Sequence, residues 1–330
     1  MFDVSHMGRV LIRGRDSLKL LDNVTTNDVA SLPNGMGQYS LICNHEGGIK
    51  DDVLVFKLRP EKYLLVYNAG NRSKDYDWIA AEARGLELEL QDVSNEAAMF
   101  AVQGPKAESL LEQSSEGKIE MPRFGCAEMH MAGVNVLVTR TGYTGEDGFE
   151  IIVWDSPLGD PRNAETVWAR LLDVGKQFAV EPCGLGARDV LRLEAGLCLY
   201  GTDMDESTNP YEAKLGFVVK LQKEFIGRGR LQEIKARGPA KVRVGLVTEK
   251  RVIPRHGFNI ILDDREIGSV TSGTLSPILN TGIALGYVTP ESVKEGAKVA
   301  VRIRGRCEET RVVKPPFYDP AKYGYSRKQS

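Results

Sequence analysis

From about Lys241 the chain changes texture. The segments KVRVGLVTE, FNIILDD, REIGSVTSG, GIALGYVT and AKVAVRIRGRCEETRVVK follow one another at regular spacing, divided by Gly, Asp and Pro turns. Short β-branched runs at even intervals read as an all-β barrel or sandwich. KARGPAK, just upstream, reads as the linker into it. At 330 residues the chain has room for two or three domains, so this β unit has to share it with something else.

The upstream part alternates strand and helix signals. GRVLIRG reads as a strand, and DSLKLLDNVTTNDVA as a helix with Leu18, Leu20, Leu21 and Val24 on one face and Asp16 or Ser17 as its cap. QYSLICN, DVLVFKL and KYLLVYN are strand candidates, followed by a helical KDYDWIAAEAR. The pattern recurs further on. AAMFAVQGP and VNVLVTRTGYTG read as strands, AETVWARLLDVGKQF and GARDVLRLEAG as amphipathic helices. Such mixtures predict α+β layers with mixed or antiparallel strands.

Several chemistries find no support. The formal net charge of -2 gives no reason to expect nucleic acid as a partner, which usually needs a basic patch. No run approaches the roughly 18 apolar residues of a membrane helix, and the start, MFDVSHMGRVLIRG, lacks a signal-peptide pattern. The five cysteines, Cys43, Cys126, Cys183, Cys198 and Cys307, are odd in number and never spaced C-x-x-C, which predicts reduced thiols in the cytosol. Cys198 reads as a core residue. Four scattered histidines, His6, His45, His130 and His256, offer no metal-site spacing. GLGARD lacks the third glycine of a dinucleotide fingerprint, and neither a P-loop nor a G-x-S-x-G elbow occurs.

Three polar segments interrupt apolar surroundings. In EGGIKDDVLVF, Asp51 and Asp52 stand at the mouth of a buried strand. Strand side chains alternate between faces, so the two carboxylates cannot share one cavity. In RTGYTGEDGFEI, Glu150 points to the side opposite Phe149 and Ile151, and the glycines permit close backbone approach. In GARDVLRLEAG, Arg188, Asp189, Arg192 and Glu194 punctuate a helix. Glu150 and Arg188 have two readings: a structural ion pair, or parts of one polar cavity in which the carboxylate accepts two parallel hydrogen bonds from a flat donor edge. Composition and spacing do not choose the ligand.

The stretches FDVSHMG, TNDV, YSLICNHEGGIKDDVLVF, VYNAGNRSKDYDWI, AVQGP, TGYTGEDGFEI, CGLGARDVLRLEAGLCLYGTDMDESTNP and VTSGTLSP…GIALGYV, in this order, resemble the aminomethyltransferase (T-protein) family of the glycine cleavage system, from Met1 to about Lys322. The resemblance implies an α+β fold of three domains in a cloverleaf around tetrahydrofolate: two interleaved folate-binding α+β domains and a C-terminal β-barrel. On this sequence it implies residues 1–93 with 201–239 for the first, 94–200 for the second, and 240–330 for the barrel. The implied reaction moves an aminomethyl group from the dihydrolipoyl arm of H-protein to tetrahydrofolate, giving 5,10-methylenetetrahydrofolate, ammonia and dihydrolipoyl H-protein. The implied setting is cytoplasmic, with no metal, nucleic acid or membrane involved.

Residue by residue, Asp52 matches the family's catalytic aspartate, beside the N5/N10 region of folate. There it orients the pterin, helps remove the N5 proton and stabilises the cationic carbon as ammonia leaves. Asp51 becomes the structural neighbour that closes the Gly47-Gly48 bend. Glu150 and Arg188 match folate contacts, with Glu150 on the pterin's amino edge. Tyr39, Asn68 and Tyr143 line the folate site, and Met7 is an apolar contact. Tyr323, with Tyr325 as the alternative, matches a tyrosine that closes over the ligand. Arg228, in FIGRGRL, matches an arginine near the H-protein face, against a reading as a solvated surface charge.

The sequence departs from the family pattern twice. It begins at MFDVSHMG, where members carry a further stretch that contributes to a folate domain, and Phe56 stands where a tyrosine is common. Relatives of this fold include folate-dependent demethylases, which alter the D-D motif retained here. Others are folate-binding proteins of iron-sulfur assembly, whose K-G-C-Y-x-G-Q signature is absent. Both comparisons favour aminomethyl transfer.

Overall fold

The computed structural model describes residues 1–327. Every strand pairing in it is antiparallel. The first sheet is built from β2 (Gly8–Arg13), β3 (Met36–Cys43), β4 (Ile49–Arg59), β5 (Lys62–Tyr67) and β6 (Glu89–Asp92), in the order β3-β4-β5-β2-β6. The second takes β1 (Phe2–Asp3), β7 (Ala98–Gln103), β8 (Cys126–Met131), β9 (Val134–Thr139) and β10 (Gly148–Val153), in the order β1-β7-β10-β9-β8. The chain thus starts in the second sheet, crosses to the first and returns, so the two α+β lobes interleave.

Strand alternation sorts the residues into four layers. Val53 and Val55 of β4 pack with Val10, Ile12, Leu65 and Tyr67 against Leu20, Leu21 and Val24 of α1 (Ser17–Val24) and Ile79 of α2 (Arg72–Glu82). On the second sheet, Phe149, Ile151 and Val153 of β10 pack with Phe100 and Val138 against α3 (Ala107–Ser114) and α4 (Arg162–Gly175). The opposite faces meet each other. Leu11, Phe56, Leu64 and Val66 of the first sheet contact Met99, Ala101, Leu137 and Ile152 of the second. Met7, Leu54 and Leu191 are only partly buried against this cluster, so the layer opens to solvent on their side.

The segment after α5 (Leu185–Glu194) returns to the first sheet. Met204, Ala213, Leu215, Val218 and Phe225, with Leu231 and Ile234 of α6 (Arg228–Arg237), pack on Leu41, Cys43 and Ile49. The third lobe is a closed barrel, which decides the barrel-or-sandwich question. Its strands are β11 (Val242–Thr248), β12 (Asn259–Leu262), β13 (Arg265–Ser276), β14 (Thr281–Val288), β15 (Lys298–Ile303) and β16 (Arg306–Val313), in the order β11-β14-β13-β12-β15-β16. Val244, Leu246, Ile260, Val270, Ala284, Val301 and Val312 fill its interior.

α5 docks the barrel through a buried polar knot. Arg192, 2% exposed, donates from Nη1 to Asp203 at 2.6 Å and from Nη2 to the Ser272 hydroxyl at 2.9 Å, and Thr271 donates to the other Asp203 oxygen at 2.5 Å. Beyond the barrel the chain turns back onto the β9–β10 loop. The Phe317 amide donates to the Glu194 carbonyl (2.8 Å), the Tyr325 amide to the Gly145 carbonyl (2.9 Å), and Arg327 pairs with Glu146.

Local expectations shift in places. The first helix ends at Val24, where Thr25 is already extended, and Asp16 caps nothing with its side chain. Its carboxylate instead accepts the Glu87 amide at 2.8 Å. The strand expected over VNVLVTRTGYTG stops at Thr139, leaving GYTG in a loop. β1, β6, β8, α3 and α6 were not legible. β6 is four residues long, and α6 has five charged residues in ten and buries only Leu231 and Ile234.

Candidate active site

Asp52 lies in the interior of β4, not at its mouth, because the strand begins at Ile49. It shares a face with Leu54 and Phe56, which look into the space between the two sheets. Glu150 shares its face with Ile152 of the same layer and is 5% exposed. The two carboxylates, one from each sheet, therefore face one inter-sheet layer beside its open rim.

Tyr39 sits on β3 opposite Leu54, diagonal to Asp52, within reach of a long aromatic side chain. Its hydroxyl donates to Asp52 Oδ2 at 3.1 Å. Asn68, just past β5, donates from Nδ2 to Asp52 Oδ1 at 2.8 Å. Burial, and then the neighbouring Asp51 charge, raise the Asp52 carboxyl to about 7, against the opposing pull of the Asn68 and Tyr39 hydrogen bonds. A carboxyl so poised exchanges a proton near neutral pH. The Tyr39 hydroxyl is itself pushed well up by burial and by Asp52, so it stays a donor.

Asp51 faces the helix side with Val53, fully buried. It does not close the Gly47-Gly48 bend. That is the work of Asn44, whose carboxamide oxygen accepts the Gly48 amide at 2.7 Å while its carbonyl accepts the Gly47 amide at 3.0 Å. A Cβ at Gly48 would overlap the Glu206 carbonyl, which is why glycine stands there. Asp51 instead accepts Asn68 Nδ2 (2.8 Å), the Asn68 amide (3.0 Å) and Asn71 Nδ2 (2.7 Å).

On the second sheet, Thr141 donates to Glu150 Oε2 at 2.6 Å, and Oε1 has no partner among the described residues. Arg188, on α5, forms no ion pair with Glu150. Its guanidinium lies 4.8 Å above the Tyr143 ring, and its enclosed Nη1 has no hydrogen-bond partner among the described residues. The Tyr143 hydroxyl donates to the Cys198 carbonyl, and burial raises both the Tyr143 hydroxyl and the Cys198 thiol. Cys198 is a core residue, as expected, and its backbone shapes the site wall. Both Tyr143 and Cys198 feel the Asp52 charge, so they border the same space.

The comparisons with known proteins cover both the α+β part of the chain and the barrel. Residues 1–223 match the GCVT N-terminal domain, and residues 241–319 match the glycine cleavage T-protein C-terminal barrel domain. The chain belongs to the glycine cleavage T-protein family of aminomethyltransferases. An aminomethyltransferase of Geobacillus kaustophilus is 44% identical over 98% of this chain and 88% of its own length. A probable aminomethyltransferase of Pyrococcus horikoshii is 42% identical over 99% and 88%. Among solved structures, the glycine cleavage system aminomethyltransferase T from Bartonella henselae superposes with a TM-score of 0.88 at 34% identity, over 96% of this chain and 85% of that one.

For a T-protein family member, the sequence-matched residues fall into two groups. Asp52, Tyr39 and Asn68 are joined by hydrogen bonds. Glu150, Tyr143, Arg188 and Met7 border the same layer from the second sheet, α5 and the chain start. Tyr323 stands apart, 39% exposed on the C-terminal tail with its ring edge-on to Tyr318 at 6.1 Å. Tyr325 stacks on Arg123 instead, 3.6 Å away. The tail lies on the loop that carries Tyr143, since Gly145 has φ +80° and a Cβ there would meet the Tyr318 hydroxyl. Arg228 opens α6, with Nε on the Leu221 carbonyl (2.8 Å) and Nη1 on Glu224 (3.2 Å). The Phe56 ring is buried among the inter-sheet residues, a packing role that needs no hydroxyl. Sequence reasoning missed Thr141 and Asn71. Their signal was position: a hydroxyl two residues past a strand that flanks Glu150, and a second Asn beside Asn68. A separate cleft lined by Glu116–Met121 and Ala127–His130 on the edge strand β8 holds none of these residues.

Proposed function

We propose that this chain transfers the aminomethyl carbon of S-aminomethyldihydrolipoyl H-protein to tetrahydrofolate, with Asp52 as the catalytic carboxylate. The observation that carries the assignment is the placement of Asp52. It faces the inter-sheet layer opposite Glu150, is held by Tyr39 and Asn68, and changes protonation near neutrality.

The residues present fit tetrahydrofolate. Glu150 keeps an unpaired oxygen for a donor edge such as the aminopyrimidinone's, and the unpartnered Arg188 Nη1 is a fixed donor for an acceptor atom of the ligand. Met7, Leu54 and Leu191 offer partly exposed apolar surface for a flat ring system. When bound, the folate supplies the nucleophilic nitrogen that takes the carbon. Asp52, while ionised, favours the cationic carbon as ammonia departs, and then accepts a proton given up by the folate nitrogen; the two N–H protons of the folate balance those gained by the departing ammonia and the dihydrolipoyl thiol. Tyr39 and Asn68 fix which Asp52 oxygen faces the ligand.

We further infer that Tyr323 and the tail cover the ligand side of the β9–β10 loop. Arg228, beside the Asn44–Gly48 turn, faces H-protein. The domain division at 1–93 with 201–239, 94–200 and 240–330 fits this reading once Phe2–Asp3, which pair with β7, are counted with the second lobe. Among the described residues no helix is long and apolar enough to cross a membrane and no group of side chains suits a metal ion. The five free cysteines support a cytosolic setting.

The test supplies aminomethylated H-protein and tetrahydrofolate and measures methylenetetrahydrofolate. Asp52→Asn is expected to lose about 10²- to 10⁴-fold in turnover while tetrahydrofolate affinity, read by fluorescence or calorimetry, stays close to the parent's. A variant as active as the parent removes Asp52 from the mechanism.

A further inference from the structure

Asp75, on the first turn of α2, is fully buried. Among the described residues, neither of its carboxyl oxygens receives a hydrogen from any N–H or O–H group. Asp75 faces Asp51 across the sheet–helix interface, where Asn71, one helical turn before it, donates to Asp51 at 2.7 Å. Two ionised carboxylates buried side by side repel in a poor dielectric, so the pair has to hold a proton. Asp51 already accepts two Asn68 donors and one from Asn71, which favour its ionised form and leave one of a carboxylate's roughly four acceptor sites for a further donor. Asp75 has no such donors, so the proton sits on Asp75.

The other charged and titratable groups around Asp75 do not replace that proton. Lys50 of β4 and Lys74 of α2 are drawn to Glu206, at 3.4 and 3.6 Å. Lys74 also donates to the Lys50 carbonyl and the Tyr200 hydroxyl. Tyr200 and Tyr67 face the acid with hydroxyls that burial holds in their neutral form. Burial, followed by the Asp51 interaction, drives the Asp75 carboxyl far above the ordinary carboxylate range, against the weaker opposing pull of the two lysines.

Asn68 ties this pair to the reacting carboxylate. Its single Nδ2 donates to Asp51 Oδ1 and to Asp52 Oδ1, both at 2.8 Å. We propose that Asp75 is a positioning residue: as a neutral acid it donates its proton to Asp51, which anchors Asn68 so that Asn68 orients the Asp52 carboxylate. The proposal rests on the catalytic assignment of Asp52 for its kinetic consequence, but not for its central claim. No bond other than the hydrogen bond forms, and the proton stays on Asp75.

The experiment uses the full chain with Asp75→Asn and Asp75→Leu. In the infrared, at a pH above the Asp52 transition, the parent is expected to show the C=O stretch of a buried protonated carboxyl, absent from Asp75→Asn. Absence of that band from the parent overturns the proposal, and this arm needs no turnover, so it stands apart from any failure of the aminomethyl assignment. In the H-protein assay, Asp75→Asn, which still donates, is expected within about threefold of the parent. Asp75→Leu is expected to lose about 30-fold in kcat, with KM for tetrahydrofolate changed less than about threefold and the acid limb moved to higher pH. Equal losses in both variants would mean that the charge rather than the proton matters. An Asp75→Leu protein with parental kcat per folded molecule would mean that Asp75 only fills space. Either result overturns the proposal. If Asp75→Leu does not fold, the infrared band and Asp75→Asn decide it.

Discussion

The Asn68 amide nitrogen stands 2.8 Å from Oδ1 of Asp51 and 2.8 Å from Oδ1 of Asp52, two consecutive carboxylates that point to opposite faces of one strand. Asn68 reaches both because it lies just past the end of β5, which runs beside β4. A donor shared by two acids reduces their mutual repulsion and fixes the rotamer of each. Removing it in Asn68→Ala costs hydrogen bonds to charged groups, each worth about 1.5–3 kcal/mol. A fall of about 10- to 100-fold in single-turnover rate is expected, with the acid limb shifted upward because Asp52 loses a bond that favours its ionised form. Unchanged turnover and limb position would show that the clamp is incidental.

The pH dependence follows from the direction of the Asp52 shift. Burial and Asp51 raise it to about 7, and the reaction needs the ionised form to accept a proton. The rate is therefore expected to rise with pH through about 7 and level off above. Tyr39→Phe removes a donor that lowers the Asp52 value, so its limb moves to higher pH, and its rate at fixed acidic pH falls more than its alkaline plateau. Profiles of kcat for parent and variant over this range test the sign. A limb that moves downward would assign the transition to another group.

The parts of this site that were legible were those fixed by alternation and family pattern. Asp52 and Glu150 could be placed on opposite faces from Asp51 and Phe149 by counting residues. That the two faces belong to one inter-sheet layer depends on the packing of β4 against β10, 89 residues apart at the nearest (Arg59 to Gly148), and no local signal carries that. Asp51 looked like a turn residue because two glycines precede it. Asn44 closes the turn instead, its side-chain oxygen accepting the Gly48 amide from four residues upstream. Asp75 has no sequence signal beyond that of an acid in the first turn of a helix, where acids are common, and its burial is a tertiary fact. Of the two readings of Glu150 and Arg188, the ion pair does not form: Glu150 is held by Thr141 and Arg188 lies over the Tyr143 ring.

Asp75 also sets a stability slope. Its folded value is raised, to about 10, so between the ordinary carboxylate range and about 10 the folded protein holds a proton that the unfolded chain has released. Stability from this group is full at low pH and is lost as pH rises, by up to about 1.4 kcal/mol per pH unit. Asp75→Asn lacks the titrating group. Between pH 7 and 9, above the Asp52 transition, its stability in denaturant melts is expected to decline less steeply than the parent's by about that amount. Parallel curves for the two proteins would indicate that Asp75 is ionised in the fold.

The barrel is joined to the folate-type lobes by Arg192 and Asp203, both nearly inaccessible and 2.6 Å apart. Asp203 also receives the Leu199 amide at 2.9 Å and the Thr271 hydroxyl. A buried pair is often worth little compared with well-packed apolar residues, but breaking it strands a charge. Asp203→Ala leaves the Arg192 guanidinium with one partly exposed acid, Asp189, beside the neutral Ser272 hydroxyl and Leu197 carbonyl, and is expected to cost about 3–5 kcal/mol. Pairing it with Arg192→Met removes the stranded charge and should recover part of that loss, a coupling that distinguishes electrostatic stranding from cavity formation. Denaturant melts of the two single variants and the double variant measure it. A double variant that loses the sum of the two single losses would place the cost in packing at the α5–barrel contact.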